Sequence, residues 1–186
     1  ESTWQLQHYL QEKTAEEIEK VTTFPIIDAI LIEKVRNELL YKTTDLTAWK
    51  ERITFRQKTY WGSKEKFSGL YTCLYHAVKL TEYKTNLKQY DSHEDLYGQY
   101  VHSLHYIDQA YRQFMHAYSN LLQRDFIDSL EDKLTNWYEN IYLRKLADET
   151  NYYLENEQKT RIPLQRRFFR TNVQPILEKE PTKVFV

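Results

Sequence analysis

Glycine and proline are scarce in this chain of 186 residues, with three of the first and four of the second. That leaves little material for hairpin turns or long flexible linkers. A single cysteine, Cys73, excludes an internal disulfide and a cysteine-rich zinc site, and fits a reducing compartment. Neither sign of charge is in excess: 26 Lys and Arg stand against 27 Asp and Glu. No electrostatic surplus therefore points to nucleic acid, a membrane or an acidic substrate. No apolar run approaches membrane-spanning length, and no signal peptide opens the chain. These absences predict a soluble, all-α, cytoplasmic chain that supplies architecture and contacts rather than chemistry.

What the chain has in plenty is tyrosine, sixteen of them. Each brings a large ring and a hydroxyl that needs a partner, which suits broad, half-buried helix faces. Apolar spacing and capping residues predict an antiparallel bundle of about five helices over residues 25–160, with an N-terminal helix before it. That first helix, Thr3 to Thr22, carries sparse apolar residues and could belong to a preceding domain (residues 1–24). Thr23 is its successor's N-cap, with Pro25 in the first turn. Thr43-Thr44-Asp45 reads as a break. Gly62 reads as a left-handed helix terminus and Ser63 as the cap of the next helix. Ser92 is an N-cap with Glu94 and Asp95 at the positive end of the helix dipole.

The strongest periodicity follows: Tyr97, Tyr100, Leu104, Ile107, Tyr111, Phe114, Tyr118 and Leu121 alternate in steps of three and four. Ile127, Leu130, Leu134, Trp137 and Ile141 repeat the rhythm, and the face then shifts to Leu146, Tyr152, Tyr153 and Leu154, as in a bent or frayed helix. Residues 161–186 read as a short helix (Leu164 to about Leu177, with Pro175 late in it) leading into Lys183-Val184-Phe185-Val186. That last run reads as half of a buried strand. An unpaired strand predicts a sheet beyond Val186; an ordinary hydrophobic tail is the alternative.

The chain holds no phosphate loop, nucleophile elbow or His-Glu-x-x-His motif. His102, His105 and Asp108, with His93 upstream, form the best metal candidate. Residues three apart fan by about sixty degrees per step on a helix, so a site would need further ligands from a neighbour. None is identifiable, and hydrogen-bonded packing histidines are the favoured reading. Cys73, three residues from His76 on an apolar helix, reads as a core thiol rather than a nucleophile. Arg166, Arg167 and Arg170, interleaved with Phe168 and Phe169, are the one basic cluster. They could contact phosphate on nucleic acid or a partner; the blander reading is an amphipathic helix whose arginines face solvent or pair with Glu178 and Glu180.

Four stretches carry a family resemblance. They are Ile30-Leu31-Ile32-Glu33-Lys34 leading to the Trp61-Gly62 turn, and Phe67-Ser68-Gly69-Leu70-Tyr71-Thr72-Cys73-Leu74-Tyr75-His76-Ala77. Next comes Tyr106-Ile107-Asp108-Gln109-Ala110-Tyr111-Arg112-Gln113-Phe114, with Leu134-Thr135-Asn136-Trp137-Tyr138 after it. Last is Ile162-Pro163-Leu164-Gln165-Arg166-Arg167-Phe168-Phe169, running through Val173-Gln174-Pro175-Ile176-Leu177 into the terminal run. In order, from about Phe24 onward, they resemble the PglZ family of BREX phage-defence systems, in its type A form.

The resemblance implies the helical middle of a longer protein, lying before a domain of the alkaline phosphatase superfamily. Such a domain hydrolyses phosphoester bonds with divalent metal, zinc or manganese, whose ligands would begin beyond Val184. The resemblance thus implies a non-catalytic scaffold without cofactor of its own. It would be flanked by its own N- and C-terminal domains and could dock other BREX subunits, including the methyltransferase. The alternative is a nucleic-acid-binding module using Arg166, Arg167 and Arg170; a helical metallohydrolase around His102 is the weakest reading.

Overall fold

In the computed structural model, residues 2–41, 46–84, 90–156, 162–163 and 165–179 are described, residues 2–5 by backbone alone. They are helical in the order α1 (Ser2–Glu12), α2 (Ala15–Ile18), α3 (Pro25–Tyr41), α4 (Leu46–Gln57), α5 (Glu65–Lys84), α6 (His93–Gln99), α7 (His105–Ser119), α8 (Asp128–Trp137), α9 (Arg144–Glu155) and α10 (Gln174–Lys179). No strand occurs among the described residues. The Thr43-Thr44-Asp45 break and the Val184–Val186 run lie outside them.

Helices α6 and α7 are one rod joined by a π-helical turn, Tyr100–Leu104, and α8 and α9 are joined likewise by Tyr138–Leu143. With α3, α4 and α5 these rods make the expected five-membered bundle. Cross-helix contacts fix their directions. Lys50 meets Glu82 and Gln57 meets Thr72, so α4 and α5 run antiparallel. Tyr118 meets Asp128 and Tyr111 meets Thr135, so α7 and α8 do too.

Helix α5 is the axis, packing against α3, α4, α7 and α8. Its buried residues occupy two stripes, Phe67, Tyr71, Leu74, Val78 and Thr81 on one and Cys73, Ala77 and Leu80 on the other. Two stripes on one helix mean burial from several sides, the mark of a central helix. Gly69, Cys73 and Ala77 follow one another at four-residue steps on α5, which packs against α7, where Ala110, Phe114 and Ala117 are buried. Small side chains there let the rods approach closely; a Cβ at Gly69 would already stand 3.3 Å from Leu121 Cδ2.

Several expectations are corrected. The first helix is two, because Thr14 interrupts it with extended backbone (φ −68°, ψ 163°) and caps α2 in a reciprocal box with Glu17. Leu10, Ala15 and Ile18 bury in the same core as the bundle. Helix α3 opens at Pro25, one residue later than a Thr23 cap requires. The Thr23 carbonyl instead accepts from the Trp61 indole at 3.1 Å. Ser63 caps nothing; its hydroxyl donates back to the Tyr60 carbonyl at 3.0 Å.

Gly62 does not take left-handed backbone. It is required for space: a Cβ would lie 2.0 Å from the Arg56 carbonyl oxygen. Pro175 lies late in the helical run from 165 to 179, as expected, at the second residue of α10. Without an N–H it cannot bond the carbonyl four residues back, and the turn before it, Phe169–Val173, is π-helical.

The π-turns explain where the apolar rhythm fails. Ahead of the first, Leu96 is buried, while Tyr97 and Tyr100 are 56% and 40% exposed. Two ordinary turns back from Leu104 would reach Tyr97; one extra residue in the turn moves the buried position to Leu96. In the second rod Tyr142 is buried at 1% and Ile141 is 52% exposed, again one residue out of step.

One buried polar node ties the first half together. Arg56 of α4 and Asp28 of α3 are 1% and 0% exposed. The guanidinium grips both carboxylate oxygens, Nε to Oδ1 at 2.9 Å and Nη2 to Oδ2 at 2.7 Å. Nη1 donates to the Glu19 and Val21 carbonyls at 3.0 and 2.8 Å. Tyr71 of α5 donates to Asp28 Oδ1 at 2.8 Å. Burial alone would lower the Arg56 pKa, but Asp28 more than offsets it, so the guanidinium stays charged.

Asp28→Ala leaves that cation without its anion and should cost about 3–5 kcal/mol in urea unfolding. The double change Asp28→Leu with Arg56→Met should recover most of the loss; a double variant as unstable as the sum of the singles would refute a coupled pair. Gly62→Ala, which touches the same Arg56 backbone, should cost about 2 kcal/mol or more. An unchanged urea midpoint would show that the turn has room for a methyl.

Candidate functional site

The two π-turns face each other, and their polar groups converge on Asp108. Tyr100, eight residues earlier, donates to Asp108 Oδ2 at 2.8 Å. Tyr138, the first residue of the opposite π-turn, donates to Oδ1 at 2.9 Å. The Tyr111 ring stacks on Tyr138 with centroids 3.8 Å apart. Its hydroxyl meets Thr135 Oγ1 at 3.1 Å, and Thr135 meets Glu131 at 2.6 Å.

Two backbone carbonyls of the first π-turn also meet side chains. Tyr142 donates to the Leu104 carbonyl at 3.0 Å. His105 Nδ1 lies 3.0 Å from the Tyr100 carbonyl. At the far end of the same seam Tyr118 donates to Asp128 at 2.7 Å.

The electrostatics follow. Bonding to Asp108 raises the Tyr100 pKa. Burial, then the Asp108 bond, raises that of Tyr138 further, and burial raises Tyr142. The bond to Asp128 pushes Tyr118 up to about 12. Phenols held protonated so firmly donate hydrogen bonds rather than exchange protons near neutrality. The arrangement is a clamp that fixes the register of α7 against α8.

The residues of the metal candidate go to separate partners. Asp108 spends both oxygens on tyrosines, His105 turns to a carbonyl, and His102 is exposed. His93 stacks on Tyr153 at 5.2 Å instead. No group of three or more metal-ligating residues occurs among the described residues. Cys73 is fully buried, and burial pushes its thiol up to about 12, the opposite of an activated nucleophile. The His76 Nδ1 is buried without a partner, and burial, with Lys79, lowers its pKa.

Arg166, Arg167 and Arg170 stand together on the C-terminal segment, where no residue from 165 to 179 is buried. Phe168 and Phe169 do not tuck under them; they are 60% and 58% exposed. Glu178 accepts from Gln174 at 2.9 Å, and Glu180 lies outside the described residues.

Residue reading missed the Asp108 clamp and the Asp28–Arg56 node. Asp108 was singled out for its histidine neighbours, yet its partners are tyrosines, one of them thirty residues away across a helix pair. The only signal for the node was an aspartate inside the apolar stripe of α3.

The fold and site thus define an all-helical bundle clamped by buried and half-buried polar contacts. Over nearly its whole length the chain is homologous to a stretch of two alkaline phosphatase-like proteins. It is 33% identical to the alkaline phosphatase-like protein PglZ of Bacillus cereus (strain H3081.97) over 186 residues, which is 96% of this chain and 21% of that protein. It is 29% identical to the alkaline phosphatase-like protein BrxZ of Escherichia coli O9:H4 (strain HS) over 179 residues, 86% of this chain and 20% of that protein. The chain spans about a fifth of the length of these curated relatives. The first match reaches further toward the N-terminus than the resemblance from Phe24 onward. No family model matches the chain, and no solved structure does.

Because Tyr100, Tyr118, Tyr138 and Tyr142 are raised above their ordinary 10.0, the stability they contribute holds below pH 10 and falls as pH rises through the Tyr118 value of about 12. Phenolate absorbance of the native chain should therefore show a set of tyrosines that ionise only on unfolding. Sixteen phenols titrating together near pH 10 would contradict the clamp. Tyr138→Phe should cost about 1–2 kcal/mol in urea unfolding, more than Tyr97→Phe on the exposed face.

Proposed function

We propose that this chain is a non-catalytic support bundle within a longer, defence-associated alkaline phosphatase-like protein. Its near end-to-end match to a fifth of PglZ and BrxZ carries the reading. The bundle would hold a hydrolase domain, with its zinc or manganese, at a set position and orientation. Residues 165–179, with Phe168, Phe169 and Ile176 exposed, supply an apolar face suited to packing on that domain.

Exposed Tyr97, Tyr106 and Tyr152 suit contacts with other subunits, a BREX methyltransferase among them. A second reading, contact with nucleic acid, is favoured by the grouping of Arg166, Arg167 and Arg170 on one exposed segment.

The 186-residue chain supplied with zinc or manganese should hydrolyse no aryl phosphate ester, whereas a full-length protein carrying this segment should. In that protein Phe168→Ser with Phe169→Ser should speed limited proteolysis between bundle and hydrolase while leaving the bundle folded. Hydrolysis by the short chain would overturn the non-catalytic reading; unchanged proteolysis would overturn the docking role of this face. Replacing the three arginines with glutamine should leave duplex DNA affinity unchanged on the first reading and abolish a salt-dependent affinity on the second.

A further inference from the structure

Two turns lie side by side at one end of the bundle: residues 19–24, between α2 and α3, and residues 58–64, between α4 and α5. Side chains bolt them together. The Trp61 indole donates to the Thr23 carbonyl at 3.1 Å. Arg56, two residues before Lys58, donates to the Glu19 and Val21 carbonyls. The second turn is also bonded within itself. Thr59 Oγ1 donates to the Arg56 carbonyl at 2.7 Å and accepts from the Gly62 amide at 3.2 Å. The Ser63 amide donates to the Thr59 carbonyl at 3.0 Å.

This rigid frame holds apolar side chains out in water. Tyr60 is 64% and Phe24 47% exposed, and Val21 is exposed between the two turns' anchor points. The Tyr60 ring meets Trp61 edge-on at 5.0 Å, and Lys64 stands over it, 4.1 Å from its centroid. Lys20 lines a recess of about 280 Å³ with exposed Phe55. Lys20, Lys58 and Lys64 are exposed and form no ion pair among the described residues. Glu19, next to Lys20, is taken by Arg52 at 2.6 Å. Exposed Glu65 is the carboxylate flanked by Lys64 and Lys66. The charges of the whole chain nearly cancel, so the positive surplus here is local.

We infer that this end of the bundle is a docking surface for an acidic protein segment, one whose carboxylates flank an aliphatic side chain. The inference is independent of whether the bundle supports a hydrolase domain. Val21, Phe24 and Tyr60 cover the aliphatic group, and Lys20, Lys58 and Lys64 meet the carboxylates. Because the rings are already fixed, little of their freedom is lost on binding. A single-stranded nucleic acid would need open ring faces to stack on, and Lys64 already lies over that of Tyr60. Val21 likewise offers a base nothing to stack on, whereas it suits an aliphatic side chain.

The test is NMR titration of the 186-residue chain with the peptide acetyl-Glu-Leu-Glu-Glu-Leu-Glu-amide. The same peptide with glutamine for glutamate and an oligothymidylate serve as comparisons. Saturable shifts of the Trp61 indole N–H and the Gly62 amide are expected, with the neutral peptide weaker by at least about fivefold. Lys58→Glu with Lys64→Glu should lower the affinity at least about tenfold and leave the urea midpoint level, since both side chains are exposed. Should that variant fail to fold, Lys58→Gln with Lys64→Gln gives the same comparison with a smaller loss. No saturable shift at this turn, equal binding of the neutral peptide, or full affinity in the variants would each overturn the assignment. Tighter binding of oligothymidylate at the same amides would overturn it in favour of nucleic acid.

Discussion

The Arg56 guanidinium lies inside the protein, almost without exposure, and its four bonds tie α4 to α3 and to the turn after α2. Asp28 brings α3, the Glu19 and Val21 carbonyls bring the turn after α2, and Asp28 carries Tyr71 of α5 with it. A charge removed from water tolerates little displacement of its partners, so the four segments are held to one mutual arrangement. The Gly62 turn belongs to the same constraint. Its backbone passes so near the Arg56 carbonyl that no side chain fits between them.

A similar economy governs the second half, with tyrosine in place of arginine. The two π-turns each add a residue to a long rod, which shifts the apolar stripe by one position. Tyr142 satisfies the Leu104 carbonyl, and Tyr100 and Tyr138 meet on Asp108. Lys133 joins the halves by capping the end of α3, its ammonium 2.9 and 2.6 Å from the Leu39 and Leu40 carbonyls. A cation at the negative end of a helix dipole adds a favourable interaction there.

This division of labour bears on function. Some tyrosines spend their hydroxyls on clamping helices together, as Tyr71, Tyr138 and Tyr142 do, while others, Tyr97 and Tyr106 among them, lie exposed. Of the candidate metal group, Asp108 is committed to two tyrosines and His105 to the Tyr100 carbonyl, while His102 is exposed. A bundle tied by the Asp28–Arg56 pair and the Asp108 clamp, with Phe168 and Phe169 outward on its C-terminal segment, accords with the supporting role proposed above.

The helical class, the five-membered bundle, the Ser92 cap and the family resemblance could all be read from the chain. They depend on interactions within a few residues: apolar spacing, a hydroxyl accepting from the Asp95 amide at 3.1 Å, short connections between helices. Tertiary structure decided the rest. Leu96 is buried in place of Tyr97, and Tyr142 in place of Ile141, because facing rods make it favourable to widen a turn that local propensity would have kept regular. Asp28 and Asp108 found partners from 28 to 43 residues away. No local spacing encodes such pairings, since they exist only once the helices have packed and water has been excluded between them.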